Sequence, residues 1–147
     1  MLLFLLALAI AVAALIAYFL WGLALHLAVW LCWRPRGKNV LLVYSDSPLW
    51  HDYLAKRILP RLAAQAVILN WSARKKWDRR FSLPVLVFSY FGGPREFNPL
   101  AVVFRPWRWA KTFRFYQAFQ DLKHGKGDSL EEIEHNLFRE IDSLPGR

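Results

Sequence analysis

The chain contains one long apolar segment, residues 2–33. It contains no Asp, Glu, Lys or Arg, and only Gly22 and His26 interrupt the apolar pattern. As an α-helix it would be roughly 48 Å long, whereas the hydrocarbon core of a bilayer is about 30 Å thick. One membrane pass therefore fits, and two do not. A cleaved signal peptide is the alternative, but no basic residue precedes the run, which stays apolar for about twenty residues beyond the small residues where cleavage would occur.

The charges that flank this segment predict its orientation. No basic residue precedes it, whereas Arg34, Arg36 and Lys38 follow it directly. Basic residues next to a transmembrane helix favour the cytoplasmic side. Trp30 and Trp33 stand beside these cations, at the position where indole rings suit the headgroup boundary. We therefore predict a single-pass signal anchor with the C-terminal part of the chain in the cytoplasm.

Beyond residue 38 the chain alternates short apolar runs with amphipathic segments, which is typical of an α/β domain. The last two predicted strands are joined by only nine residues, which include Gly92 and Pro94. Because a parallel pair needs a longer crossover, we predict that these two strands are antiparallel, and that the first two strands are parallel. The predicted strands cover residues 39–44, 66–70, 84–90 and 100–104, and the predicted helices cover residues 49–64, 72–80, 106–123 and 128–144.

Charge divides the chain beyond the apolar segment into two parts. Residues 34–127 hold 18 basic and 5 acidic side chains, a net of +13, and residues 128–147 hold 2 basic and 6 acidic side chains, a net of −4. We therefore predict a transmembrane anchor over residues 1–33, a basic α/β domain over 34–127, and an acidic C-terminal helix and tail over 128–147.

The acidic C-terminal helix has two interpretations. Its apolar stripe predicts that it docks on the domain and leaves Glu131, Glu132 and Glu134 in solvent. Alternatively, it lies against the basic surface and competes there with an anionic partner. The stripe consists of Leu130, Ile133, Leu137, Ile141 and Leu144.

The order strand, helix, strand, short helix, strand, strand, helix resembles the thioredoxin-like fold over roughly residues 38–124. In addition, Leu83-Pro84 precedes the third predicted strand, where that family carries a cis-proline. The family's Cys-x-x-Cys pair would open the first helix, but residues 47–52 read SPLWHD, and Cys32 is the only cysteine in the chain. The resemblance therefore implies the fold without redox activity. A shorter resemblance, to TIR-type domains, rests on Tyr44-Ser45 and on residues 59–62 (LPRL).

One group of polar residues offers candidate catalytic chemistry. Ser45 and Asp46 follow the first predicted strand, and His51 lies in the next turns. Because ligands gather beyond the carboxyl ends of parallel strands, this group could serve a membrane-surface enzyme. However, Ser45 lacks the glycines of a nucleophile elbow, and the same residues could simply cap a helix. The chain has no phosphate loop and no metal-ligand spacing, so we expect no cofactor.

Aromatic residues interleaved with cations form the most unusual feature of the sequence. On a helix over residues 106–123, three of these cations would fall on one side, at intervals of three residues. Such a surface suits anionic lipid headgroups, with cations on the phosphates and tryptophan in the interface. The two stretches supply Arg74, Lys75, Lys76 and Trp77, and then Arg105, Trp107, Arg108, Trp109, Lys111 and Arg114.

The sequence thus predicts a membrane-anchored, non-redox module that binds anionic lipid or an acidic protein partner. A nucleic acid is the less favoured ligand, because no DNA- or RNA-binding motif accompanies the cations. An enzyme at the membrane surface and a structural subunit of a membrane complex remain the alternatives.

Overall fold

The computed structural model describes residues 1–78, 80–125 and 128–145. Helix α1, Leu2–Cys32, is followed by a mixed α/β domain with four strands. The strands are β1 (Val40–Tyr44), β2 (Ala66–Asn70), β3 (Leu100–Arg105) and β4 (Arg108–Arg114). Helix α2 consists of three consecutive parts, the α-helical His51–Tyr53, the π-helical Leu54–Ile58 and the α-helical Leu59–Leu62. The later helices are α3 (Leu83–Phe91), α4 (Phe115–Lys123) and α5 (Asp128–Asp142). Two short 3₁₀ segments cover Arg34–Arg36 and Trp71–Lys76.

The four strands form one mixed sheet in the order β2-β1-β3-β4. Strand β1 is parallel to β2, with Val40 beside Ala66, and antiparallel to β3, with Val43 beside Leu100. Strand β3 is antiparallel to β4, which forms one edge of the sheet. The prediction of an α/β domain with a mixed sheet behind an N-terminal apolar helix is therefore confirmed.

Helices cover both faces of this sheet. Alternate residues of β1 point to opposite faces, and Val40 and Leu42 belong to one buried cluster while Leu41 and Val43 belong to the other. Helices α2, α4 and α5 cover the first face with side chains that include Leu54, Ile58, Phe115, Phe119 and Leu137. Helix α3 and the C-terminal half of α1 cover the second face with side chains that include Leu25, Val29, Trp33, Val85 and Phe88.

Residues 84–90, predicted to be a strand, lie in helix α3, and that prediction is wrong. A short apolar run cannot be assigned to helix or strand by periodicity alone. Here Pro84 stands in the first turn, where its missing N–H costs nothing, and the helix buries Val85, Val87, Phe88 and Phe91. The antiparallel hairpin is consequently β3–β4. The cis-proline that the resemblance implied at Leu83-Pro84 is also wrong, because among the described residues the cis peptide bond is Asn98–Pro99.

The helix predicted over residues 106–123 begins only at Phe115, because residues 108–114 form β4. Pro106 and Trp107 make the turn from β3, and Trp107 has φ 58°. Proline followed by a residue of positive φ is the combination that a type II turn requires. Once this turn reverses the chain, backbone pairing with β3 decides the conformation of a segment whose side-chain pattern also suits a helix.

The C-terminal helix docks on the domain, as one of the two interpretations predicts, and buries Leu130, Leu137 and Ile141. Glu131 and Glu132 are exposed, but Glu134 is buried, and its predicted exposure is wrong. The Tyr53 hydroxyl donates to the Glu134 carboxylate, and Arg57 pairs with it at 3.2 Å. These two partners compensate its burial. Burial, together with Glu134, raises the pKa of Tyr53 above its usual range.

Candidate membrane-facing site

Helix α1 crosses the sheet and leaves the domain past the edge strand β4. Near its C-terminal end, Trp33 packs edge-on against Phe104 of β3, with ring centroids 5.9 Å apart. Two turns earlier, the backbone N–H of Ala110 on β4 donates to Nε2 of His26 at 2.9 Å. Earlier still, Phe19 contacts Trp109, at 6.1 Å between ring centroids. The N-terminal half of α1 therefore extends away from the domain at the β4 side.

Helix α1 lies close against the domain at Gly22. A Cβ added there would lie 2.6 Å from the outer ring of Trp109 and would also collide with the hydroxyl of Tyr90. The Tyr90 ring stacks on Tyr18, with centroids 4.5 Å apart, and its hydroxyl donates to the Tyr18 carbonyl at 3.1 Å. Glycine inside a helix costs about 1 kcal/mol relative to alanine. At this position it admits the two aromatic rings to the helix backbone.

Residues 2–21 of α1 are all exposed, and burial begins at Gly22. These residues would extend for about 30 Å as a helix, which equals the usual thickness of a bilayer hydrocarbon core. Helix α1 is long and apolar enough to cross a membrane, and it is the one such helix in the described part of the chain. If residues 2–21 occupy the hydrocarbon core, then Tyr90, Trp109 and the β4 edge lie at the level of the headgroups.

The β3–β4 turn presents an exposed tryptophan between two arginines. The side chain of Trp107 is 98% exposed, and the charged residues Arg105 and Arg108 stand on either side of it in the sequence. A bulky residue with positive φ is an outlier, and such outliers suggest function rather than packing. Arg108 makes no side-chain hydrogen bond or ion pair with the described residues, so its guanidinium can bind an external anion.

The other three cations predicted for this surface already have partners. Arg105 and Lys111 pair with the two carboxylate oxygens of Glu140 on α5, at 3.2 and 3.3 Å. Burial would raise the pKa of Glu140, but Lys111 and Arg105 outweigh it and hold the pKa below its usual value. Arg114 points to the opposite face of the sheet and donates to the Gly92 carbonyl at 2.6 Å. Strand geometry therefore separates side chains that a helix would have aligned.

The first basic stretch lies at the other end of the sheet. This stretch follows β2, whose last residue, Asn70, pairs with Tyr44 at the end of β1. Arg105, in contrast, lies near the start of β1, because it follows Val103, which pairs with Val40. The arginine and the tryptophan of this stretch pack against other rings. Arg74 lies 3.6 Å from the centre of the Trp71 ring, and Trp77 packs edge-on against Phe88. Lys75 and Lys76 are exposed to solvent.

The candidate catalytic residues form a polar loop rather than a nucleophile and base pair. The Asn70 amide donates to the Asp46 carboxylate at 2.9 Å, and the Asp46 N–H donates to the Ser72 hydroxyl at 2.9 Å. Ser45 is buried, while His51 is exposed, and no hydrogen bond joins His51 to Ser45 or Asp46 within the described part of the chain. Nor do three His, Cys, Asp or Glu side chains gather there as a metal site would need.

The contact between α1 and the domain was missed by sequence reasoning. Its signal was present, because Gly22 and His26 alone interrupt the apolar run, and both make that contact. No protein-family model matches this chain, and comparison with curated proteins and with solved structures finds no match.

Proposed function

We propose that this chain is a single-pass membrane protein whose domain holds the β3–β4 turn in the headgroup layer and binds anionic lipid there. The observation that carries the proposal is Trp107, which is 98% exposed at the side where α1 leaves the domain, beside Arg108, which has no partner among the described residues. Indole rings prefer the headgroup boundary. A cation close to an anionic membrane surface gains about 1 kcal/mol.

The proposed orientation is with the domain in the cytoplasm. Arg34, Arg36 and Lys38 follow α1 directly. Basic residues next to a transmembrane helix support a cytoplasmic location of the domain. The cytoplasmic leaflet also carries the anionic lipids that Arg108 would meet.

The proposal includes a thioredoxin-like fold without redox activity. The parallel β1–β2 pair and the antiparallel β3–β4 hairpin support this fold, as do the helices on both faces of the sheet. In the region where the family has its cysteine pair, residues 47–52 of this chain read SPLWHD. The domain would therefore act as a binding module.

The positions of Trp107 and Arg108 favour anionic lipid over an acidic protein partner. Arg108 and Trp107 are beside α1, whereas Arg105 and Lys111, which face α5, already bind Glu140. A tethered domain also meets lipid at a high local concentration, so weak contacts suffice.

The test uses the full-length chain in phosphatidylcholine vesicles with added spin-labelled phosphatidylglycerol or phosphatidylcholine. Electron paramagnetic resonance reports the preference of the protein for each lipid. We expect a preference for phosphatidylglycerol that falls about fivefold in Arg108→Gln, which is the effect of about 1 kcal/mol for one cation, and that weakens with salt. Lys75→Gln removes the same charge at the other end of the sheet and should leave the preference unchanged. Equal preferences in Arg108→Gln and the wild type would contradict the proposal, and retention of a single acidic protein on detergent extraction would then favour the protein partner.

A further inference from the structure

A cleft of about 1080 Å³ lies between the C-terminal half of α1, the β3–β4 turn and the end of α5. This volume lies at the upper end of the range of ligand pockets, which is about 300–1,000 Å³. An inorganic anion would therefore leave most of it empty. One side of the cleft belongs to α1, the element that we propose to be in the membrane.

The walls of the cleft are apolar on the α1 side. Leu23, Leu27 and Trp30 line it from the helix, and each is about half exposed. They continue the apolar surface that residues 2–21 present to the bilayer. Phe104 and Trp107 line it from the hairpin. A hydrocarbon chain in contact with α1 could thus enter the cleft without crossing a polar surface.

The polar part of the cleft is cationic. Four basic side chains and one carboxylate, that of Asp142, line it. Among the described residues Arg108 has no partner, and the guanidinium of Arg34 makes no ion pair and lies 5.5 Å from the centre of the Trp30 ring. Both guanidinium groups are therefore available to a phosphate. Guanidinium groups bind phosphate with two parallel hydrogen bonds. The four basic residues are Arg34, Lys38, Arg105 and Arg108.

We infer that the cleft binds one anionic phospholipid, with its phosphate at Arg34 and Arg108 and an acyl chain along Leu23, Leu27 and Trp30. The inference rests on the proposed function, because it requires α1 to lie in a membrane. It adds a defined, stoichiometric site to the general attraction between the turn and the headgroups. Charge complementarity and continuity with the lipid-facing surface of α1 identify the occupant.

The test measures lipid adducts by native mass spectrometry of the full-length chain in detergent micelles, with dioleoyl phosphatidylglycerol or dioleoyl phosphatidylcholine added. Two matched pairs of variants separate the cleft from its surroundings. Ala64 lines the cleft and Ala63 does not, although both are exposed, so Ala64→Trp is compared with Ala63→Trp. Arg34 lines the cleft and Arg36 does not, so Arg34→Gln is compared with Arg36→Gln. Circular dichroism melting confirms that each variant folds.

We expect one phosphatidylglycerol per chain in the wild type, Ala63→Trp and Arg36→Gln, and at least fivefold less in Ala64→Trp and Arg34→Gln. Phosphatidylcholine should bind at least fivefold more weakly than phosphatidylglycerol. Equal adducts within either pair, or equal binding of the two lipids, would overturn the inference. If Ala64→Trp does not fold, the arginine pair decides alone.

Failure of the cleft and failure of the proposed function give different results. Micelles offer no bilayer surface, so they report the cleft alone. In vesicles Arg108→Gln affects both the turn and the cleft, because Arg108 belongs to both, whereas Arg34→Gln affects the cleft. A lipid preference that falls in Arg108→Gln and not in Arg34→Gln therefore reports the attraction between the turn and the headgroups. Lost adducts with retained lipid preference in vesicles would refute the cleft only. Adducts without any effect of Arg108→Gln in vesicles would refute the proposed headgroup contact.

Discussion

His26 and Ala110 join the apolar helix to the edge of the sheet through one hydrogen bond, in which the Ala110 N–H donates to Nε2 at 2.9 Å. The other ring nitrogen, Nδ1, lies 3.0 Å from the Gly22 carbonyl oxygen. Because a carbonyl only accepts, the proton belongs on Nδ1, which leaves Nε2 free to accept. The bond also occupies a backbone donor of the edge strand β4, which is otherwise open to pairing with another chain. The imidazole of His26 thus adds a polar link between α1 and the sheet edge to the apolar contacts of Leu25 and Val29.

Replacing His26 with leucine should destabilise the domain, because the Ala110 N–H loses its acceptor in a partly buried place. We expect a loss of about 1–3 kcal/mol in the free energy of unfolding, measured by denaturation in detergent micelles. The control is His51→Leu, at an exposed position, which should change stability by no more than about 0.5 kcal/mol. Equal effects of the two substitutions would contradict the assigned role of His26.

A side chain larger than hydrogen at residue 22 should push α1 away from Tyr90 and Trp109. Gly22→Leu introduces atoms where these rings already lie, and overpacking of this kind costs about 1–3 kcal/mol. Limited proteolysis should then cut between α1 and β1 faster than in the wild type. Ala24→Leu enlarges an exposed position on the same helix and should leave cleavage unchanged; faster cleavage in this variant as well would show that helix substitution alone is responsible.

The pairing of Glu140 with Arg105 and Lys111 should make stability depend on acidity. The pKa of Glu140 in the folded chain lies below its ordinary value of 4.5, because the two cations outweigh the effect of burial. The pair therefore contributes fully above about pH 4.5, and the contribution is lost as the pH falls through the lower, folded-state pKa. Unfolding curves between pH 7 and pH 3 should show a steeper loss for the wild type than for Glu140→Gln. Parallel losses would mean that the ion pairs contribute nothing.

Elements with a clear period could be predicted from the sequence, and elements decided by tertiary contact could not. Strands β1 and β2 and helices α1 and α5 follow from apolar runs or amphipathic stripes. Residues 84–90 are apolar except for Ser89, so nothing local distinguishes a strand from the helix that packs beside α1. In β4, the spacing of aromatic and basic residues fits the period of a helix as well as that of a strand. The turn at Pro106 and Trp107 decides in favour of the strand.

The sequence predicted the composition of the candidate site but not the tertiary partners of its cations. Composition indicated an aromatic and basic surface, and Trp107 and Arg108 lie free on it. The partners of Arg105, Lys111 and Arg114 depend on strand alternation and on helices distant in sequence, which no local pattern encodes.

Depth measurements in a bilayer show whether α1 lies in the hydrocarbon core and the β3–β4 turn lies in the headgroup layer. Single cysteines replace Leu8, Lys75 or Trp107 in a Cys32→Ser background, and each carries a fluorophore in reconstituted vesicles. Nitroxide lipids quench the fluorophore from the headgroup or from the acyl chain. We predict quenching from the acyl chain at residue 8, quenching from the headgroup at residue 107, and none at residue 75. A label at residue 107 as unquenched as that at residue 75, or a label at residue 8 that no lipid quenches, would contradict the account.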